Sequence, residues 1–237
     1  MFPPEKVSND VYRWRRSTPL AASLEMNIIT GVFGLEVDWA SSVTLLDKRE
    51  LPTPDTVRAK TREVMRQSGI IQADVATAEP ELTYVRALAG EIRPVSSLSE
   101  ADFVRVNIYR VGPQGLPTVT SLPDEGVISA MYSGSQVSGE NILEFRSQYY
   151  PVDWKTFHTY PMIFPNTAFD LLKAGEGFIV SPLPSGKSKA TIRNVYLAYY
   201  EPSTAQNYYQ PVYVFEGDDS FRALVPALHP QVFSTTP

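Results

Sequence analysis

Cysteine is absent from the 237 residues, which removes disulfide scaffolds, thiolate metal centres and cysteine nucleophiles together. Histidine is nearly absent: His158 and His229 are the only two, too few and too far apart for a His-rich zinc or iron centre. An excess of positive charge is missing as well. Lys and Arg number 21 against 26 Asp and Glu, a formal net charge of −5, whereas nucleic-acid binders present a basic surface. No apolar run approaches the roughly 18 residues of a membrane span; the longest, such as VYLAYY at 195–200, have the length of a strand. The opening FPPEKVSND after Met1 is polar and Pro-rich, so it does not read as a signal peptide. The expectation there is a tail over 1–10 whose start was cut just beyond a removed segment.

What is present is the material of a globular protein. Hydrophobic residues make up 43% and charged residues 20%, far from a disordered composition. The length allows one domain or two closely packed lobes, with a core of real size.

Two-residue periods dominate. Tyr12, Trp14 and Arg16 alternate with Val11, Arg13 and Arg15, which predicts a strand. SLEMNIITGVFGLEVDW alternates around Gly31 and Gly34, the expected bend or bulge points. LTYVRALAGEIRPVSS, DFVRVNIYRVG, GVISAMYSGS and ENILEFRSQYYPVD follow as further strands. Two helices interrupt them. The first has Thr53 as N-cap, Pro54 at the first helical position and Gly69 as its stop; Val57, Thr61, Val64 and Met65 form the apolar stripe, and Arg58, Arg62 and Arg66 the wet side. The second starts with Asn166 as N-cap and stops at Gly175. Each helix precedes several strands. The pattern predicts an α+β protein, strand-rich, of two closely packed lobes over 11–152 and 153–230, each a helix on a curled antiparallel sheet, with a tail over 231–237.

Five stretches invite a chemical reading. SPLPSGKS at 181–188 ends like a phosphate loop, but Pro182 and Pro184 remove backbone donors and the next segment, ATIRNVYLAYY, is a strand. YSGSQVSG at 132–139 lacks the spacing and the helix of a nucleophile elbow. EGDDS at 216–220 gathers three carboxylates without the glycine-bearing spacing of a calcium loop. No cofactor, metal or nucleotide site is expected. His158, with Asp153 near it in sequence, is the one candidate for a catalytic base, yet no nucleophile accompanies it; the bland reading is a half-buried histidine among aromatics. The fifth place is Asn194–Asp218, which holds six of the 13 tyrosines. There Asn194–Tyr200 and Tyr209–Glu216 read as an antiparallel hairpin, with Pro202 in the connection, Pro211 at a strand start, and Tyr196 or Tyr213 under the second helix beside Leu171 and Leu172. Tyr208 and Tyr209, beside the turn, are the tyrosines expected to be exposed. With Trp154 and His158 they make the candidate interaction surface.

The run IRNVYLAYYEP…YYQPVYVFEGD…FRALVPAL, placed after a Gly-stopped helix, resembles the C-terminal part of the YycH/YycI-type extracytoplasmic regulators and, more broadly, PepSY-like domains. QPVYVFEG followed by ALVPAL carries the likeness most closely; it covers Asn166–Leu228 best and the first half by topology alone. The resemblance implies a helix packed on a curled antiparallel sheet, duplicated, outside the cytoplasmic membrane and tethered by an N-terminal helix or lipid missing here. It implies a non-enzymatic regulatory module that works by touching a protein partner, and no catalytic residue. Two other readings stand beside it: a hydrolase using His158 with Asp153, and a glycan or ligand binder using exposed rings such as Trp14, Trp39 and Trp154.

Overall fold

The computed structural model describes residues 3–46, 50–88 and 91–234. The chain is α+β and strand-rich, 36% strand and 18% helix. It divides into two compact units, the first made of 1–109 and 126–150 and the second of 110–125 and 151–237. The expected lobes differ at two places: residues 110–125 and residues 151–152 belong to the second unit.

The first unit is a nine-stranded sheet, antiparallel at every pairing, in the order β1-β2-β3-β4-β10-β9-β7-β5-β6. Strands β1 (Glu5–Lys6), β2 (Val11–Arg16), β3 (Ala22–Asn27) and β4 (Phe33–Val37) run as a meander. The turn between β3 and β4 uses Gly31 at φ 75°, where a side chain would be strained. Gly34, expected to bend the chain, lies within β4. Three helices follow: α1 (Val43–Leu46), α2 (Pro54–Gln67) and α3 (Ala73–Ala76). The chain then re-enters the sheet through β5 (Glu81–Leu88), β6 (Glu91–Pro94) and β7 (Phe103–Ile108). After leaving for the second unit, where β8 (Thr118–Thr120) lies, it returns as β9 (Ile128–Tyr132) and β10 (Ile142–Ser147), and β10 closes the gap between β9 and β4.

Helix α2 forms as its sequence dictates. Thr53 Oγ1 accepts from the Thr56 amide, Pro54 occupies the first turn, and Val57, Thr61 and Met65 are buried. They pack over Val104, Val106 and Ile108 of β7 and Ile128, Ala130 and Tyr132 of β9. Arg58 and Arg62, expected on a wet face, are engaged instead: Arg62 donates to the carbonyls of Ala76 and Ala78, and Arg58 pairs with Glu79 at 3.1 Å. They hold the turn around α3, whose carbonyls have no further helix to satisfy them.

The second unit is a five-stranded sheet curled into half a barrel, in the order β11-β14-β13-β12-β8. Its strands are β11 (Phe178–Ser181), β12 (Ile192–Glu201), β13 (Gln210–Gly217) and β14 (Arg222–Pro226), with β8 inserted beside β12. That last pairing is parallel, so this sheet is mixed rather than purely antiparallel. The hairpin of β12 and β13 has the register Tyr196↔Val214 and Leu197↔Tyr213. Pro202 is in the connection and Pro211 second in its strand. Helix α4 (Pro165–Lys173) covers one face, formed by Tyr213, Phe215, Val225 and Ala227 with Ala168, Leu171 and Leu172. Phe164, not Asn166, is the N-cap, and it makes no side-chain cap bond. Val212, Val214, Ala198 and Leu224 form a second cluster with Tyr196 and Tyr200. A short α5 (Gln231–Ser234) ends the described chain. No helix among the described residues is long and apolar enough to cross a membrane.

Candidate interaction face

The four residues singled out from sequence all belong to the second unit. Three of them, Tyr208, Trp154 and His158, are exposed, and Tyr209 is half-buried. Tyr208 is 67% exposed, as expected for a loop tip. Tyr209 is not. Its ring stacks on Tyr199 at 5.1 Å and 13°, and Trp154 meets it edge-on at 5.2 Å and 80°. The Tyr209 hydroxyl donates to Glu201 Oε2 at 2.8 Å, because β12 ends by turning that carboxylate inward. Burial first, then the Glu201 charge, push the Tyr209 phenol well above its ordinary value.

Beneath these rings lies an ion pair that no local spacing announces. Arg110 Nε and Nη2 donate to Glu201 at 2.8 and 3.1 Å, and the two side chains are 0% and 4% exposed. The guanidinium sits 6.0 Å from the centres of both the Trp154 and Tyr209 rings, within cation–π range. Thr118 Oγ1 donates to the Arg110 carbonyl at 3.0 Å. Trp154 and Tyr209 therefore serve as the cover of a buried charge more than as a free platform.

His158 is exposed rather than half-buried. Its ring lies 6.2 Å from Tyr160, and among the described residues it makes no hydrogen bond or ion pair. Asp153 is spent on its own turn, accepting from Thr156 Oγ1 at 2.7 Å and from the Lys155 amide at 2.9 Å. These bonds, Thr156 foremost, hold its carboxyl below the usual range. The structure brings no partner to the imidazole. The other rings offered as platforms are also engaged: Trp39 is half-buried, edge-on to Phe103 at 5.4 Å, and Trp14 is half-buried near Tyr12. The three carboxylates of the EGDDS turn each face a base. Asp218 pairs with Arg193, Asp219 with Lys187 and Glu216 with Arg222. Among the described residues no three His, Asp or Glu side chains stand close enough to hold a metal ion.

The exposed rings extend well beyond Trp154 and Tyr208. Every exposed aromatic side chain among the described residues lies in the second unit: Trp154, Phe157, Tyr160, Phe164, Phe169, Phe178 and Tyr208. Phe157 and Phe164, at 78% and 75%, are the barest. The backbone explains the pattern. Residues 161–163 are pinned to 227–229 by Ile163 N→Ala227 O and His229 N→Pro161 O, both 2.9 Å. Side chains alternate along this bridge, so Ile163 points into the core while Met162 and Phe164 point out. Phe178 and Ile179 add apolar surface on β11, the outermost strand of its sheet. A signal for this existed in TFHTYPMIFPN: aromatics crowd a segment that Pro161 and Pro165 bar from a full ladder.

Compared with models of known protein families, with curated proteins and with solved structures, the chain matches none.

Proposed function

We propose that this protein is a non-catalytic interaction module that binds a protein partner through the aromatic segment 157–164. The observation that carries the reading is the exposure of Phe157, Tyr160, Met162 and Phe164 within eight residues of one backbone stretch. Rings left in water at such density cost solvation free energy that a partner would recover, and aromatics with Met are the side chains that dominate protein interfaces. The backbone bonds at 161–163 hold the stretch in place before binding, which lowers the ordering cost of association.

The module is of the YycH/YycI and PepSY-like kind, a helix laid on a curled sheet in each unit, and it works outside the cytoplasmic membrane. Support for this finer reading is the likeness of the C-terminal run together with α2 and α4 each lying on a sheet. The test is site-specific photo-crosslinking in the native cell. A crosslinking residue at Phe157 or Phe164 is expected to trap one discrete protein. The same residue at Arg193, which lies on β12 and is ion-paired with Asp218, is expected to trap none. Equal products at all three positions, or none at any, would overturn the proposal.

A further inference from the structure

The first unit carries a separate feature. On β2, β3, β4 and β10 one set of alternating side chains, Phe33, Leu35, Val37, Leu143 and Phe145, packs into the core. The other set forms a polar lattice whose rows follow from the register. Arg13 stands beside Glu25, Glu25 beside Gly34 and Gly34 beside Arg146; in the next row Arg15 stands beside Ser23 and Ser23 beside Glu36. Ser23 and Gly34 thus leave a low floor among the longer side chains of Arg13, Arg15, Glu25, Glu36 and Arg146. The result is a trough of about 600 Å³, continued by a second depression of about 340 Å³ that shares Arg15, Ser23 and Glu36 with it. The hollow is an open groove on the sheet face with room for a small molecule.

The charges in the trough are unequally matched. Arg13 is held twice by Glu25, at 3.0 and 2.6 Å, and Arg146 is held by Glu36 at 2.8 Å. Among the described residues Arg15 has only Glu5, at 3.5 Å, with both side chains more than half exposed, 62% and 57%. Such a pair contributes little in water. Arg13 and Arg146 are held closely by their carboxylates, whereas Arg15 is held loosely and is the most accessible of the three to an incoming anion.

We propose that this trough binds a small polar molecule bearing one anionic group, carboxylate or phosphate. Arg15 takes the charge through its planar fork of donors. Ser23, which stands beside Arg15 and lines the same hollow, meets its hydroxyl or amide groups.

The experiment titrates the full chain with glucuronate, glucose 6-phosphate and glucose, reading backbone amide shifts. The charged sugars should shift the amides of β2, β3 and β4 saturably, and glucose should not. Saturation by one charged sugar alone upholds the site and fixes the anion. Arg15→Gln should weaken binding about tenfold or more, the loss expected for a charge-assisted contact. Gly34→Gln should abolish it by filling the hollow. That variant should fold, because a Cβ there meets only Arg146 Cγ, at 3.9 Å, and Gly34 is not in the left-handed region. Arg193→Gln, in the second unit, should leave binding unchanged. No saturable binding of either charged sugar at millimolar concentration would overturn the proposal, as would binding that survives both Arg15→Gln and Gly34→Gln.

Discussion

Arg110 and Glu201, 91 positions apart, meet as a two-pronged ion pair from which water is excluded. The pair fastens the excursion that carries β8 to the end of β12, and Tyr209 completes the acceptor's coordination. Attraction between two charges in such a place offsets their lost hydration only while both are present.

Arg110→Met should therefore destabilise the second unit by about 3–5 kcal/mol, because it strands a buried carboxylate. The double variant Arg110→Met with Glu201→Gln removes both charges and keeps an acceptor for Tyr209. It should be more stable than the single variant. Urea melts followed by the fluorescence of Trp154 would show the order, with Trp14 and Trp39 replaced by Phe to isolate its signal. A single variant that melts like the parent would refute the account.

This pair also marks where the sequence stops being legible. Thr53, Pro54 and Gly69 announce α2 because caps and stops act within a few residues, and the period of two announces the β12–β13 hairpin for the same reason. Arg110 with Glu201, the parallel pairing of β8 with β12, and the meeting of β4 with β10 depend on contacts distant in the chain. Local chemistry carries no trace of them. Tyr209 illustrates the consequence: its place beside a turn predicts exposure, yet a remote arginine and its glutamate draw the hydroxyl inward. His158 errs the other way. Its aromatic neighbours in sequence predict cover, but the segment is held to 227–229 by backbone bonds that leave its rings outside.

Alkaline stability should report on Tyr132. Thr61 Oγ1 donates to the Val57 carbonyl, so the Tyr132 hydroxyl is the donor to Thr61 at 2.8 Å. Burial pushes this phenol up to about 12 from its ordinary 10.0. The folded chain holds the proton more tightly than the unfolded one. Its contribution is therefore complete below about pH 10 and is lost as the pH climbs from there to about 12. The loss is on the order of 3 kcal/mol. Across that window the stability of the parent should fall more steeply than that of Tyr132→Phe. Parallel curves would mean that Tyr132 titrates alike in both states.

The hairpin tyrosines separate scaffold from surface. Tyr213 is 7% exposed and faces α4, packed with Ala168, Leu171 and Leu172; its hydroxyl donates to the Ile163 carbonyl at 2.9 Å. Tyr213→Ala removes a buried ring and should cost about 3–5 kcal/mol. Tyr213→Phe keeps the ring and gives up that one hydrogen bond, a loss of about 1 kcal/mol. Tyr208, at the tip of the same hairpin and 67% exposed, should tolerate Ala within about 0.5 kcal/mol. Because Ile163 sits between the exposed Met162 and Phe164, the Phe variant has a second consequence. Loosening the Ile163 carbonyl frees the segment that presents those side chains, so amide exchange at 162–164 should quicken in Tyr213→Phe and stay unchanged in Tyr208→Ala. Exchange that is identical in the two variants would show that Tyr213 supports the core alone and does not position the aromatic segment.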